Sequence, residues 1–459
     1  MTKLLIACIA DAILLCSGHA FNVMPLVVAA LAGYIYLVLR NGMEHFFAIT
    51  FFYISWMNLM RLDVDSFSIY TLTLIVMFLY QVVLQLRPGA ERKIKEDTTF
   101  FSLLMLFYGL AVTLIGSGMI DVSHLTNLSM FVMVPILGWW SHEKQDFREC
   151  AVFCAAGVIL SAMCSLVFQN SAGMAEFIKI ARTDVVNAYR ICGFTGDGNR
   201  LGAQALTAIA CILAVQLKES GKNMYQYLLL LVLLLVCGIL TVSKMFLFVA
   251  GFLMLLWLPV FMSKGGAPVR KIAACFIVLT IIIGILASGV LNNQIDIYMR
   301  RFRIVTNATT LTTNRTDIWA MYIGYLQNHV ETLLFGKGVM CEYLYFTPMR
   351  MRMHMHNVLL ELVYKLGLFG TLLAAKWIKT IAQWNGKRQG KGIRGLRIPK
   401  LIVLVGCFAS WFALPVMDFD EFYYVILLAA LAFEYINHSF VRETENETNI
   451  RQNTVSDVG

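Results

Sequence analysis

Long apolar stretches, separated by short polar breaks, run along nearly the whole chain. They fall at 3–18, 20–39, 43–60, 67–86, 99–118, 124–140, 147–168, 200–217, 225–241, 243–262, 271–290, 356–383, 399–415 and 421–438. Most approach the ~20 residues a helix needs to cross ~30 Å of hydrocarbon. In lipid such a stretch must be helical, because only a helix satisfies its own backbone hydrogen bonds within one segment. The pattern predicts an all-α polytopic membrane protein with about 12–14 transmembrane helices. The junctions near Gly18, Arg40 and Ser243 are so tight that they leave the count open.

Two breaks are long, and they divide the chain. Residues 1–168 read as amino-terminal transmembrane helices, 169–199 as a loop, 200–290 as central helices, 291–355 as a larger loop, 356–438 as carboxy-terminal helices and 439–459 as a polar cytoplasmic tail. Long loops mark function or disorder, and the second is too aromatic for disorder. Trp319, Tyr322, Tyr325, Leu326, Leu333 and Phe335 recur at helical spacing. They predict an amphipathic helix, capped near Thr313 or Asn314 and lying on the outer membrane surface.

Composition agrees: 59% of residues are hydrophobic and 14% charged, with mean hydropathy +0.71, outside the range of soluble domains. The net charge of +9 raises the question of nucleic acid, but its distribution answers it. Arg87, Arg92, Lys93 and Lys95 share one short loop, Lys264, Arg270 and Lys271 another, and Lys387, Arg388, Lys391, Arg394, Arg397 and Lys400 a third. That is the signature of cytoplasmic loops, so no nucleic-acid partner is expected. With the amino terminus inside, 169–199 and 291–355 fall outside the cell. The opening "MTKLLIACIADAILLCSG" has the outline of a signal peptide, but Asp11 interrupts its apolar run, and it reads as a retained first helix. Eight of the eleven cysteines sit within apolar segments and Cys150 sits at a segment edge; only Cys192 and Cys341 fall in outer loops, and no zinc-site spacing occurs.

Positive charge on the outer side breaks the topological rule. Arg182, Arg190, Lys244, Arg300, Arg301, Arg303, Arg315, Lys337, Arg350 and Arg352 all lie there, interleaved with methionines and aromatics. They predict an outward-facing cationic cavity for a polyanion, since the guanidinium fork makes paired charge-assisted bonds to phosphate. In "MRMRMHMHNVLLELVYKLGLFG" (349–370) His356 opens a helix and Asn357 follows, with Gly367 and Gly370 further on. Small residues there let another helix approach closely. His356 is the candidate titrating group, whereas His354 reads as a surface residue.

These residues also carry a family resemblance. "HNVLLELVYKLGLFG" (356–370) resembles the signature His, Asn/Ser/Gln, nine residues, Gly, two residues, Gly/Thr/Tyr of the O-antigen polymerase and ligase superfamily. "RICGFTGDGNRLG" (190–202) is similar to the family's Arg-x-x-Gly…Asp-x-Asn element, and "NRTDIWAMYIGYLQNHVETLLFGKG" (314–338) to its Arg…Trp…Gly-x-Gly stretch. The family's outer Ser-Arg stands here as Ser243-Lys244, which keeps the charge but loses the bidentate fork.

The resemblance implies a glycosyltransferase acting on polyprenyl-pyrophosphate-linked glycan at the outer face of the cytoplasmic membrane. It implies His356 as general base for an acceptor hydroxyl, with Arg315, Lys244 and Arg190 neutralising the departing diphosphate. Asn199, Asp197, Arg300, Arg301 and Asn357 are expected to bind substrate or shape the site, and Glu361 and Asp317 are lesser candidates for the base or for orienting the histidine. Expected partners are the lipid-linked donor and acceptor and membrane lipid, with flippase and chain-length-regulator proteins as further candidates. No cofactor is expected. The acidic pairs Asp63-Val-Asp65 and Asp418-Phe-Asp420-Glu421 leave divalent-metal assistance as the lesser reading. Polymerase is the first reading, ligase-type transfer to lipid, protein or wall the alternative, and a polysaccharide-repeat flippase the third, disfavoured because the polar residues gather in one-sided outer loops.

Overall fold

The computed structural model describes residues 1–63, 66–87, 95–175, 177–178, 190–219, 223–263, 268–289, 292–303, 305–306, 312, 314–383, 397–417 and 419–437. The expectations placed on Asp65, Arg182, Thr313 and Asp418, on much of the three basic loops and on the carboxy-terminal tail lie outside these residues. A helix occupies each of the fourteen apolar stretches. In order these are α1 Thr2–Ala20, α2 Met24–Tyr53, α3 Ile69–Leu86, α4 Glu96–Ser117, α5 Val122–Ser141, α6 Phe147–Val167, α7 Gly198–Lys218, α8 Met224–Leu240, α9 Lys244–Ser263 and α10 Pro268–Ala287. Then come α11 Asn292–Arg303, α12 Arg315–Asn328, α13 Val330–Phe335, α14 Val358–Ala382, α15 Arg397–Phe408 and α16 at 421–437. Among the described residues nine helical stretches are both long and apolar enough to cross a membrane. The chain is a multi-pass, all-α membrane protein.

One of those nine, Met24–Trp56, holds two of the predicted spans. Along a straight helix residues 34 and 53 would stand ~28 Å apart at ~1.5 Å per residue, yet the rings of Tyr34 and Tyr53 are 4.8 Å apart. The chain doubles back at Gly42, whose φ of +59° and ψ of −160° lie where a side chain is strained. Side-chain contacts place the two legs. At one end His45 bonds Glu149 at 2.7 Å and the Met1 amine reaches the same carboxylate at 3.9 Å. Midway the Tyr53 hydroxyl donates to Asp11. At the far end His19 Nε2 meets the Leu59 carbonyl at 3.1 Å. The second leg therefore returns beside α1, as the hydropathy break near Arg40 predicts.

The centre of the bundle is α7, packed against α6, α8, α9 and α15. Its small residues, Gly202, Ala205, Ala208, Ala210 and Ala214, let neighbouring helices approach closely. The segment between α11 and α14 packs with Tyr364 of α14 into a second, smaller core of Ile318, Tyr322, Leu326, Cys341, Phe346, Met355 and Tyr364. The predicted amphipathic helix exists as α12 and α13, with two corrections. Its buried stripe is Ile318, Tyr322 and Leu326 turned into this core, while Phe335 is exposed. Asn314 takes the cap position, but its side chain makes no capping bond. No disulfide joins Cys192 to Cys341.

Candidate active site

Helix α12 holds the histidine segment. The Trp319 indole donates to the Met355 carbonyl at 2.8 Å, and the Tyr322 hydroxyl to the Met353 carbonyl at 2.9 Å. With these two carbonyls held, Met355 is buried in the small core while His354 and His356 line a neighbouring cavity. His356 has φ +48°, a left-handed conformation that costs a non-glycine residue roughly 1–3 kcal/mol and gathers at functional sites. Asn357 then caps α14, its side chain accepting from the Leu359 and Leu360 amides at 3.0 and 3.3 Å.

The glycines of the two motifs interlock. Helix α14 breaks at Gly367, with φ +70°, which leaves the carbonyls of the preceding turn without their usual helical donors. The Lys337 and Gly338 amides bond Tyr364 and Lys365 carbonyls, both at 2.9 Å, and the Tyr108 hydroxyl takes that of Leu366 at 2.7 Å. A Cβ on Gly336 would strike the Lys365 carbonyl, and one on Gly367 the Leu334 carbonyl. The Gly-x-Gly at 336–338 is therefore the counterpart that lets α14 break beneath His356.

Cations assemble where α8 turns into α9. Arg190 Nε donates to the Thr241 carbonyl at 2.9 Å and Nη2 to Asn199 Oδ1 at 2.8 Å. Arg301 Nη1 donates to the Val242 carbonyl at 2.6 Å, and Tyr298 reaches the Ile239 carbonyl at 3.2 Å. Lys244 follows directly and lies within electrostatic reach of Arg301 and Arg315. Asp197 caps α7 through the Asn199 amide at 3.0 Å. Arg315, the first residue of α12, lies within electrostatic reach of Asp197 and Arg190 and makes no hydrogen bond among the described residues.

Burial and like charge tune this group. Desolvation, then Arg190, pull the Arg315 guanidinium below its ordinary value; desolvation and the same neighbour bring Arg301 down to about 10. Desolvation, then Arg315 and His354, push His356 down to about 4. The imidazole is thus neutral near pH 7 and can accept a proton, and its Nδ1 has no hydrogen-bond partner among the described residues. Guanidinium groups gathered in a desolvated site favour a negatively charged ligand.

A cavity of about 540 Å³ opens on His356, lined also by His354, Asn58, Arg61, Asp197, Arg200 and Phe419. Its size falls within the ~300–1,000 Å³ of small-molecule sites. His354 is half-buried on this wall, contrary to its reading as a surface residue. Arg315, Lys244, Arg190, Arg301, Asp197, Asn199 and His356 gather in one region, with Asn357 serving as the helix cap. Arg300 is exposed on α11. Arg352 pairs with Glu342 at 2.7 Å on the surface and Arg350 is exposed, so neither joins the cationic group. Glu361 has both carboxylate oxygens engaged, by Lys365 and by the Val416 and Met417 amides, which removes it as a base. Asp317 is exposed. Asp420 accepts from Thr71 at 3.1 Å, and Glu421 pairs with Arg200.

Arg61 and Arg200 are the residues the sequence reading passed over. Arg200 left one signal: a cation in the first turn of a helix opposes the macrodipole and needs a reason. Here that reason is Glu421, together with the Phe419 ring 3.6 Å from its guanidinium carbon.

A family model described as O-Antigen ligase matches residues 229–375, a span that carries Lys244, Arg315 and His356. No match was found among curated proteins. The matched span is about a third of the chain, and it supports the resemblance to the O-antigen polymerase and ligase superfamily that the motifs carry.

Proposed function

We propose that this chain is a glycosyltransferase that joins polyprenyl-pyrophosphate-linked oligosaccharide repeat units into a surface polysaccharide, an O-antigen, capsule or exopolysaccharide. It acts at the outer face of the cytoplasmic membrane. The observation that carries the reading is Arg315, a desolvated guanidinium with no hydrogen bond among the described residues, beside a neutral imidazole. A bond forms between the acceptor oxygen and the sugar carbon C1 as the bond from C1 to the phosphate oxygen breaks. The electron pair leaves with the diphosphate, where Arg315, Lys244 and the wall formed by Arg190 and Arg301 stabilise it. The acceptor proton passes to His356.

Donor binding and basicity are coupled in this arrangement. A diphosphate entering beside Arg315 offsets the positive field that holds His356 down, so the imidazole becomes a stronger base when donor is present. The ligase reading keeps the same donor chemistry and replaces the lipid-linked acceptor with a lipid, protein or wall acceptor; the description of the matched family favours keeping it. Purified protein incubated with lipid-linked repeat unit alone separates the two. A ladder of lipid-linked polymer, with or without chelator, supports the polymerase. Product formed only when a separate acceptor is supplied supports the ligase, and turnover lost with chelator brings the acidic pairs into the mechanism.

A further inference from the structure

The basic groups near His356 fall into two sets. Arg190, Lys244, Arg301 and Arg315 do not line the cavity. The cavity's own two arginines are matched by carboxylates. Arg200 pairs with Glu421, which also accepts from Gln204 at 3.1 Å. Arg61 lies within electrostatic reach of Asp420, and Asp197 stands on the cavity wall. Arg200 is further fixed by donating to the Thr195 carbonyl at 3.1 Å and by lying over the Phe419 ring. The remaining lining includes Phe177 and Asn58. A wall with donors, acceptors and aromatic faces, its ionic charges locally matched, suits a polyol with an apolar face better than a second diphosphate.

We propose that this cavity is the acceptor subsite and takes an uncharged sugar ring, with Phe419 and Arg200 as specificity-determining residues that present its hydroxyl to His356. The assignment rests on the glycosyl-transfer reading above and names the acceptor within it. The donor's first sugar has the same chemistry, and the assignment to the acceptor follows from the lining: the cations that would anchor the donor's diphosphate do not line the cavity.

The test uses the full chain in lipid nanodiscs with lipid-linked repeat unit as donor. The acceptors are alkyl glycosides that lack a diphosphate and can only accept: a hexoside, an N-acetylhexosaminide, a deoxyhexoside and a hexuronide. At least one uncharged glycoside is expected to be glycosylated in preference to the hexuronide. Phe419→Ala is expected to raise its KM about tenfold while the donor KM stays within about twofold, and Phe419→Trp to restore it. Rejection of every uncharged glycoside, preference for the hexuronide, or a rise in donor KM instead of acceptor KM overturns the assignment. These failures are separate from failure of the underlying reading, in which wild-type protein would not consume the lipid-linked repeat unit at all.

Discussion

Glu361 and Lys365 form an ion pair at 2.8 Å one turn apart on α14, and both are fully buried, at 1% and 0% exposure. The other carboxylate oxygen accepts from the Val416 amide at 2.9 Å. The pair thus ties the helix that His356 opens to the loop that carries Pro415 and Phe419 on the cavity wall. Removing one partner strands a buried charge, at a cost of about 3–5 kcal/mol. Glu361→Ala and Lys365→Met are each expected to lower thermal stability in detergent. The double variant Glu361→Gln with Lys365→Met keeps an acceptor for Val416 and removes both charges, so it is expected to melt above either single one. A double variant no better than the singles would contradict the clamp.

The glycine interlock makes a second prediction. Gly336→Ala and Gly367→Ala each put a side chain at positive φ, at roughly 1–2 kcal/mol, and also into a backbone carbonyl. Both are expected to destabilise the protein and to abolish transfer, because the break in α14 can no longer seat against 336–338. Gly324→Ala, at a helical glycine with open space around it, is the control and is expected to leave melting temperature and rate unchanged.

The histidine segment depends on its aromatic pins. Trp319→Phe keeps the ring but loses the bond to the Met355 carbonyl, a loss of ~0.5–1.5 kcal/mol. If that bond orients His356, kcat falls about 2- to 10-fold, with expression in the membrane unchanged. An unaltered kcat would show that the carbonyl needs no such anchor.

The pH dependence follows from the depressed basicity of His356. A base whose protonated form is disfavoured stays active as pH falls, and activity is lost only near its own value, about 4 in the free protein. The acid limb of kcat/KM reports the free enzyme, and that of kcat the complex. The first is expected near about pH 4, well below the ~6.5 of an ordinary histidine. The second is expected higher, because bound diphosphate offsets Arg315. Coincident limbs near ~6.5 would contradict the geometry.

The membrane architecture was legible because lipid imposes one rule on every span, so hydropathy located all fourteen stretches and even the reversal near Arg40. His356, Arg315 and Lys244 stood out because basic and titratable residues among methionines and aromatics next to membrane spans are costly without a task. Other features depend on packing that no local pattern encodes. Arg61 and Arg200 are far apart in sequence and meet only where α7 faces the loop after α2. Arg350 and Arg352 were misplaced because charge position alone cannot say which side chains turn outward in the short hairpin Tyr345–Phe346 and Met351–Arg352. Glu361, a lesser candidate for the base, has both oxygens engaged by partners that only the folded loop at 416–417 and the next turn of α14 supply.

The central claim, that a cation and an imidazole at the outer site carry out glycosyl transfer together, is tested most directly by polymer formation from purified lipid-linked repeat unit. His356→Ala and Arg315→Ala are each expected to lower the initial rate by at least about 100-fold while wild-type melting behaviour and membrane insertion persist. Arg315→Lys is expected to retain part of the rate. Polymer of normal length at a near wild-type rate from either alanine variant would contradict the account.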